Sequence, residues 1–173
     1  MQSTSGVATV KRNFILQQGL PDPPTASCSL QYSALQYQPR LVGLVLLVAV
    51  ILQEPVVFLA LAGVLWWSAL APGLNPFDAL YNRTLAVRPG GIVLPPAPGP
   101  RRFSQGMAGT FALGIGISLI LGWKVTAIVL QCFLIAAVAA LVFGGFCLGS
   151  FLFHLLRGRA AFARRTLPWA RGA

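Results

Sequence analysis

The sequence predicts an all-α integral membrane protein: four transmembrane helices in two helical hairpins, with both termini on the cytoplasmic side. Three observations carry this reading. Hydrophobic residues make up 56% of the 173-residue chain and charged residues 9%, which leaves too little polar surface to cover a water-soluble globule. The apolar residues fall into four runs separated by polar or Pro/Gly-rich breaks. Twelve of the thirteen Lys and Arg residues lie in segments that this layout puts on one side of the bilayer, as the positive-inside rule requires.

Residues 1–38 are polar and rich in Gln, Ser and Pro, and "LPDPPTASCS" sets prolines where a helix would run, so an irregular N-terminal arm is expected. No charged n-region followed by an apolar core precedes it, and the first apolar segment is expected to insert and stay. The first hairpin is assigned to 39–71. Pro39 stands at the expected helix start, and Leu41–Leu52 is uninterrupted and apolar. Its rise of about 18 Å needs flanking residues to reach across a core of about 30 Å. "QEP" at 53–55 turns the chain, Val56–Leu70 returns it, and Trp66 and Trp67 mark the interface.

The connection 72–102 is too rich in Pro and Gly for a long helix, although "NPFDALYNRTL" is expected to form a short interfacial one with Asn75 or Asp78 near its start. The second hairpin is assigned to 103–156. Its first span, Phe103–Leu121, has glycines at 106, 109, 114 and 116; Gly106, Gly109 and Ala112 offer small surfaces suited to close helix approach, and Gly114, Gly144, Gly145 and Gly149 are also assigned to helix packing. Its second apolar run, Val125–Leu156, would rise about 48 Å if straight. It must tilt, bend or leave the membrane, at the point marked by Gly144, Gly145 and Gly149. In the basic tail 157–173, Leu155, Phe162 and Trp169 are expected to dip into the interface while Arg157, Arg159, Arg164 and Arg165 stay at headgroup level. Pro39-Arg40 and Pro100-Arg101 open the two hairpins alike, a weak internal duplication.

Orientation follows from charge. Lys11, Arg12 and Arg40, then Arg83, Arg88, Arg101 and Arg102, then Arg157, Arg159, Arg164, Arg165 and Arg171 lie on one side, and only Lys124 lies at a hairpin tip. This basic face is expected to meet an anionic leaflet or an acidic partner. The arginines border apolar runs instead of forming a stripe interleaved with aromatics, which argues against nucleic acid.

Chemistry is sparsely provided. Asp22, Glu54 and Asp78 are the only carboxylates and His154 the only histidine, so no catalytic set and no metal-ligand set is assigned, and hydrolysis is poorly supported. Cys28, Cys132 and Cys147 are odd in number without a repeating spacing and imply no disulfide framework. Glu54 and Arg40 sit at span ends, and no ionisable residue falls mid-span, so no ion path is expected.

The stretches Arg102-Phe103-Ser104-Gln105-Gly106 and Gly145-Phe146-Cys147-Leu148-Gly149 resemble the bacterial membrane family known as domain of unknown function 4395, over roughly residues 36–156. The resemblance implies an integral protein of the bacterial cytoplasmic (inner) membrane with this two-hairpin layout, and it brings no established reaction. Ser150 stands where a second family cysteine would be, and Phe153 where a tyrosine is common.

Three functional readings follow. The first is a non-catalytic accessory subunit packing against a larger membrane complex, with no cofactor. The second is a membrane thiol protein in redox or sulfur traffic through Cys147; a C-x-x-C pair could attack and resolve, whereas Ser150 removes the resolving step. Cys147 could also be a small buried apolar residue. The third is a haem or chlorophyll-type pigment carrier through His154, with Ser150 one turn earlier leaving room for a macrocycle. Alternatively, His154 marks a helix end at the cytoplasmic interface.

Overall fold

A computed structural model of the chain describes residues 3–170. Residues 1–2 and 171–173 lie outside the described residues, and Arg171 of the basic tail with them. Among the described residues the chain forms eight α-helices and no strand: α1 Ser3–Gln17, α2 Cys28–Leu52, α3 Pro55–Leu70, α4 Pro76–Thr84, α5 Gly99–Ile120, α6 Lys124–Gly144, α7 Leu148–Leu156 and α8 Ala160–Arg165. Three of these, α2, α5 and α6, are long and apolar enough to cross a membrane. The fourth apolar helix, α3, has 16 residues and rises about 24 Å, short of a hydrocarbon core of about 30 Å.

The N-terminal segment departs from expectation. Where an irregular arm was predicted over 1–38, the chain forms α1 and then the first eleven residues of α2. Pro39 is therefore inside α2 and not at its start. The helix runs through this position because its polar first half is buried on one face, at Ala34, Leu35, Gln36 and Gln38; packing outweighs the backbone hydrogen bond that a proline cannot donate. The internal duplication fails for the same reason, since Pro100 does lie in the first turn of its helix.

The breaks have local causes. Gln53 takes a left-handed conformation (φ 52°) that ends α2, and Pro55 begins α3. The long run Val125–Leu156 is not one helix: Gly145, at φ +60°, caps α6 in the left-handed region that glycine enters without strain. After a short turn the chain continues as α7, which packs antiparallel along the start of α5.

Packing is antiparallel and continuous. Helix α3 runs the length of α5: a Cβ at Gly116 would lie 2.7 Å from Leu59, one at Gly109 would lie 2.9 Å from Trp66 and 3.3 Å from the Ala62 carbonyl, and Gly106 faces Ala69. Gly114 on the next face approaches Leu130 of α6. Helix α2 runs antiparallel to α6, from Gln36, which donates to the Leu141 carbonyl at 3.0 Å, to Gln53, whose amide pairs reciprocally with Gln131 at 3.1 and 3.2 Å. Between the four long helices lies one core, including Leu46, Phe58, Ala112, Ile115 and Leu134. A second core, built around Phe14, Ile15, Leu35 and Tyr81, joins α1, α2, α4 and the α6–α7 turn.

The glycines expected to serve helix packing divide sharply. A Cβ at Gly149 would lie 2.7 Å from Ser104 Oγ and 2.8 Å from Ser104 Cα, whereas nothing approaches within 4 Å at Gly144. Gly144 is therefore not a packing residue, and Gly145 meets Val10 and Tyr32 of the N-terminal helices. Gly149→Ala is expected to separate α7 from α5 and cost about 1–3 kcal/mol, while Gly144→Ala stays within about 1 kcal/mol of the wild type. Unfolding of the two variants in mild detergent checks this; equal effects would contradict the packing described.

Candidate functional site

Polar groups converge where α1, α4 and α7 close over one end of the four long helices. The centre is Arg101, in the first turn of α5 and only 6% exposed. Its Nη2 donates to Asp78 Oδ1 at 2.5 Å and to Gln38 Oε1 at 2.8 Å. Gln105, one turn further along α5, donates to the same Gln38 oxygen at 2.8 Å. Asp78 is held from behind by Asn75, whose side-chain nitrogen reaches Oδ2 at 3.0 Å. The Asn75 oxygen caps α4 by accepting from Phe77 N and also accepts from Ser68 of α3. One ion pair thus joins α2, α3, α4 and α5.

Arg101 was expected to face lipid or a partner. It is instead buried beside one of three carboxylates in the chain, because a guanidinium leaving water needs a compensating charge and several acceptors. The other predicted basic residues are exposed: Arg83, Arg88, Arg102, Arg157, Arg159, Arg164 and Arg165. Arg102 Nε donates to the Ala69 carbonyl at 2.7 Å. Arg157 lies over the Phe153 ring and Arg159 over Phe162.

Cys147 and His154 are brought together by α1. Gln17, at the end of α1, accepts from Cys147 N through Oε1 at 2.9 Å, and its backbone carbonyl lies 3.1 Å from His154 Nε2. The Cys147 thiol contacts Ser104 Oγ at 3.2 Å, and Ser150 Oγ contacts the same hydroxyl at 3.0 Å. Positions 147 and 150 therefore converge on one point of α5. Cys147 also lines a cavity of about 80 Å³ together with Arg101, Gln38, Gln105 and Gln18, and the buried Gln105 Oε1 has no hydrogen-bond partner. The rest of its lining is mostly apolar, and the space is large enough for water beside these polar groups.

His154 is 2% exposed and its ring stacks edgewise on Phe162 at 4.7 Å. Burial lowers its pKa, opposed by the Gln17 hydrogen bond and reinforced by Arg159. A haem or chlorophyll-type ring does not fit here: Nε2 already faces Gln17, Nδ1 is enclosed, and Ser150, expected to leave room, is fully buried against α5. Cys28 and Cys132 stand on α2 and α6, and all three cysteines are free thiols.

The C-terminal segment is docked. Asn13 donates to the Leu167 and Ala170 carbonyls at 3.0 and 3.2 Å, and Ala163 and Thr166 are buried. Outside the spans, the exposed Arg12 guanidinium hydrogen-bonds Asp22 and holds its carboxyl below the usual range.

The scan against family models matches "Domain of unknown function (DUF4395)" over residues 33–158, most of the chain. The chain belongs to the DUF4395 family. The match begins in α2 and ends just past α7, so it takes in the ion pair, both specific motif stretches and His154, but not α1. Among curated proteins and solved structures, none matches the chain significantly. Within the DUF4395 stretch, sequence reasoning missed Gln38, Asp78 and Ser104; before it, Gln17. A signal existed for Asp78: in a chain with so few carboxylates, an acid on a short helix beside apolar spans needs a partner.

Removing one partner of a buried ion pair costs about 3–5 kcal/mol. Asp78→Asn and Arg101→Gln are each expected to destabilise by that order, while the double variant loses clearly less than the sum. A double-mutant cycle from unfolding in detergent measures it; strict additivity would contradict the pairing.

Proposed function

We infer that this DUF4395 protein is a non-catalytic four-span membrane protein with both termini cytoplasmic, acting as a small accessory subunit against a larger membrane assembly. One observation carries the reading: the side chains with chemical potential are used internally. Cys147 and His154 fasten α7 to α1 and α5, and Arg101 and Asp78 fasten the long helices together. Most of the remaining surface is apolar wall, such as Val125, Ile128, Phe133 and Phe143 of α6, and the basic end; Cys132, Glu54 and Lys124 are also exposed.

Support for a fourth span comes from α3. It pairs with α5 from the Pro55 carbonyl beside Gly116 to the Ala69 carbonyl beside Arg102, a depth of about 21 Å along α5. The Gln53–Gln131 pair ties the tip of the first hairpin to α6 about two turns from the tip of the second. An even number of crossings then returns both termini to the side carrying most cationic residues.

The test has two readouts. Single cysteines introduced at Arg88, Arg165 and Glu54, in a background lacking the native cysteines, are expected to label from the same face for the first two and from the opposite face for the third. Gently solubilised native membranes are expected to hold the protein in a particle well above its 18.4 kDa mass. Labelling of Arg88 and Arg165 from opposite faces would remove the topology, and a monomer under the gentlest extraction would remove the accessory role.

A second reading, a membrane thiol protein, is favoured by the thiol of Cys147 lining the cavity beside Arg101. Cys147→Ala in a strain lacking the chromosomal copy decides it: a thiol role requires loss of function, and full rescue ends it.

A further inference from the structure

A groove of about 580 Å³ runs down the outside of the protein between α3, α5 and α7. Trp66, Phe103, Met107 and Phe111 form its walls, and Arg102 and Arg157 stand together at one end. From Arg102 to Phe111 it follows α5 for about 13 Å. It opens sideways, with Phe103 and Trp66 each over a third exposed, so in a bilayer it faces lipid and not water.

The two guanidiniums are oriented but not neutralised. Arg102 is fixed through Nε on the Ala69 carbonyl, which leaves its terminal N–H groups for another acceptor. Arg157 is held 5.2 Å above the Phe153 ring, which itself packs on Phe103. Among the described residues no carboxylate serves them: Asp22 pairs with Arg12, Asp78 with Arg101, and Glu54 is at the opposite end of the bundle beside the α2–α3 turn. The pair is thus open to an anion from outside, and the apolar trough continuing below it suits a ligand with an alkyl chain attached.

We propose that this groove binds one anionic glycerophospholipid, its phosphate between Arg102 and Arg157 and an acyl chain along Phe103, Met107 and Phe111 against Trp66. Arginine presents a planar fork of donors suited to phosphate, and basic pockets between helices at the membrane surface are known to hold such headgroups. The site depends on these helices lying in a bilayer and not on the accessory role, so loss of that role leaves it standing.

The test uses the full chain in micelles containing equal phosphatidylglycerol and phosphatidylcholine, with bound lipid read by native mass spectrometry. The wild type is expected to retain one phosphatidylglycerol in roughly tenfold preference. Arg157→Gln, whose guanidinium makes no hydrogen bond among the described residues, is expected to cut the preference several-fold, and Arg102→Gln/Arg157→Gln to abolish it. Thr110→Trp, at an exposed position in the trough, is expected to reduce retention of both lipids, while Arg83→Gln/Arg88→Gln changes nothing. Should the double variant fail to fold, Arg157→Gln and Thr110→Trp decide the matter. Unchanged preference in Arg157→Gln, equal retention of the two lipids by the wild type, or displacement of the lipid by millimolar glycerol phosphate would each overturn the proposal, the last by pointing to a soluble anion.

Discussion

The buried guanidinium of Arg101 is the constraint around which this protein is organised. A charge taken out of water must be matched by an opposite charge and by acceptors for its remaining donors. In a chain with three carboxylates the match comes from Asp78 on α4. That requirement fixes α4 against α5. It draws in Gln38 from α2 and, through Asn75 and Ser68, holds α3 to the same point. The basic end of the bundle is therefore not a uniform cationic surface: one arginine is structural and its neighbour Arg102 faces outward.

Helices α1 and α7 depend on each other. Gln17 bonds Cys147 through its side chain and His154 through its backbone, and Gly149 lets α7 approach close enough for Ser104 to bridge Cys147 and Ser150. Neither short helix would hold its position by propensity alone, since helices of nine to fifteen residues are marginal without tertiary packing. Together they cover a polar junction that would otherwise open to solvent or lipid. This accounts for the ordered polar N-terminus and for the docking of the C-terminal segment on Asn13.

The long apolar helices meet through small residues rather than through interlocking large ones. Gly109, Ala112 and Gly116 give α3 direct access to the backbone of α5, the kind of contact that replaces hydrophobic driving force where the surroundings are already apolar. On the opposite side of α5 the same helix leaves Phe103, Met107 and Phe111 uncovered. One helix thus carries both a close internal seam and an external groove of about 580 Å³.

By itself, the sequence determined the all-helical, apolar character, the apolar runs, the turn at Gln53–Pro55, the short helix with Asn75 or Asp78 near its start, and the family. These follow from local composition and turn chemistry, which act over a few residues. Only the tertiary structure decided that Pro39 lies within a helix, that residues 3–17 are helical, that the segment beyond the glycine break packs on Ser104 as α7, and that Arg101 is buried while Arg102 is not. Each of these depends on a partner distant in the chain: α1 on α7, Gly149 on Ser104, Arg101 on Asp78. Adjacent arginines look alike in sequence, and which one is buried is set by the rotation of α5 against a carboxylate 23 residues away.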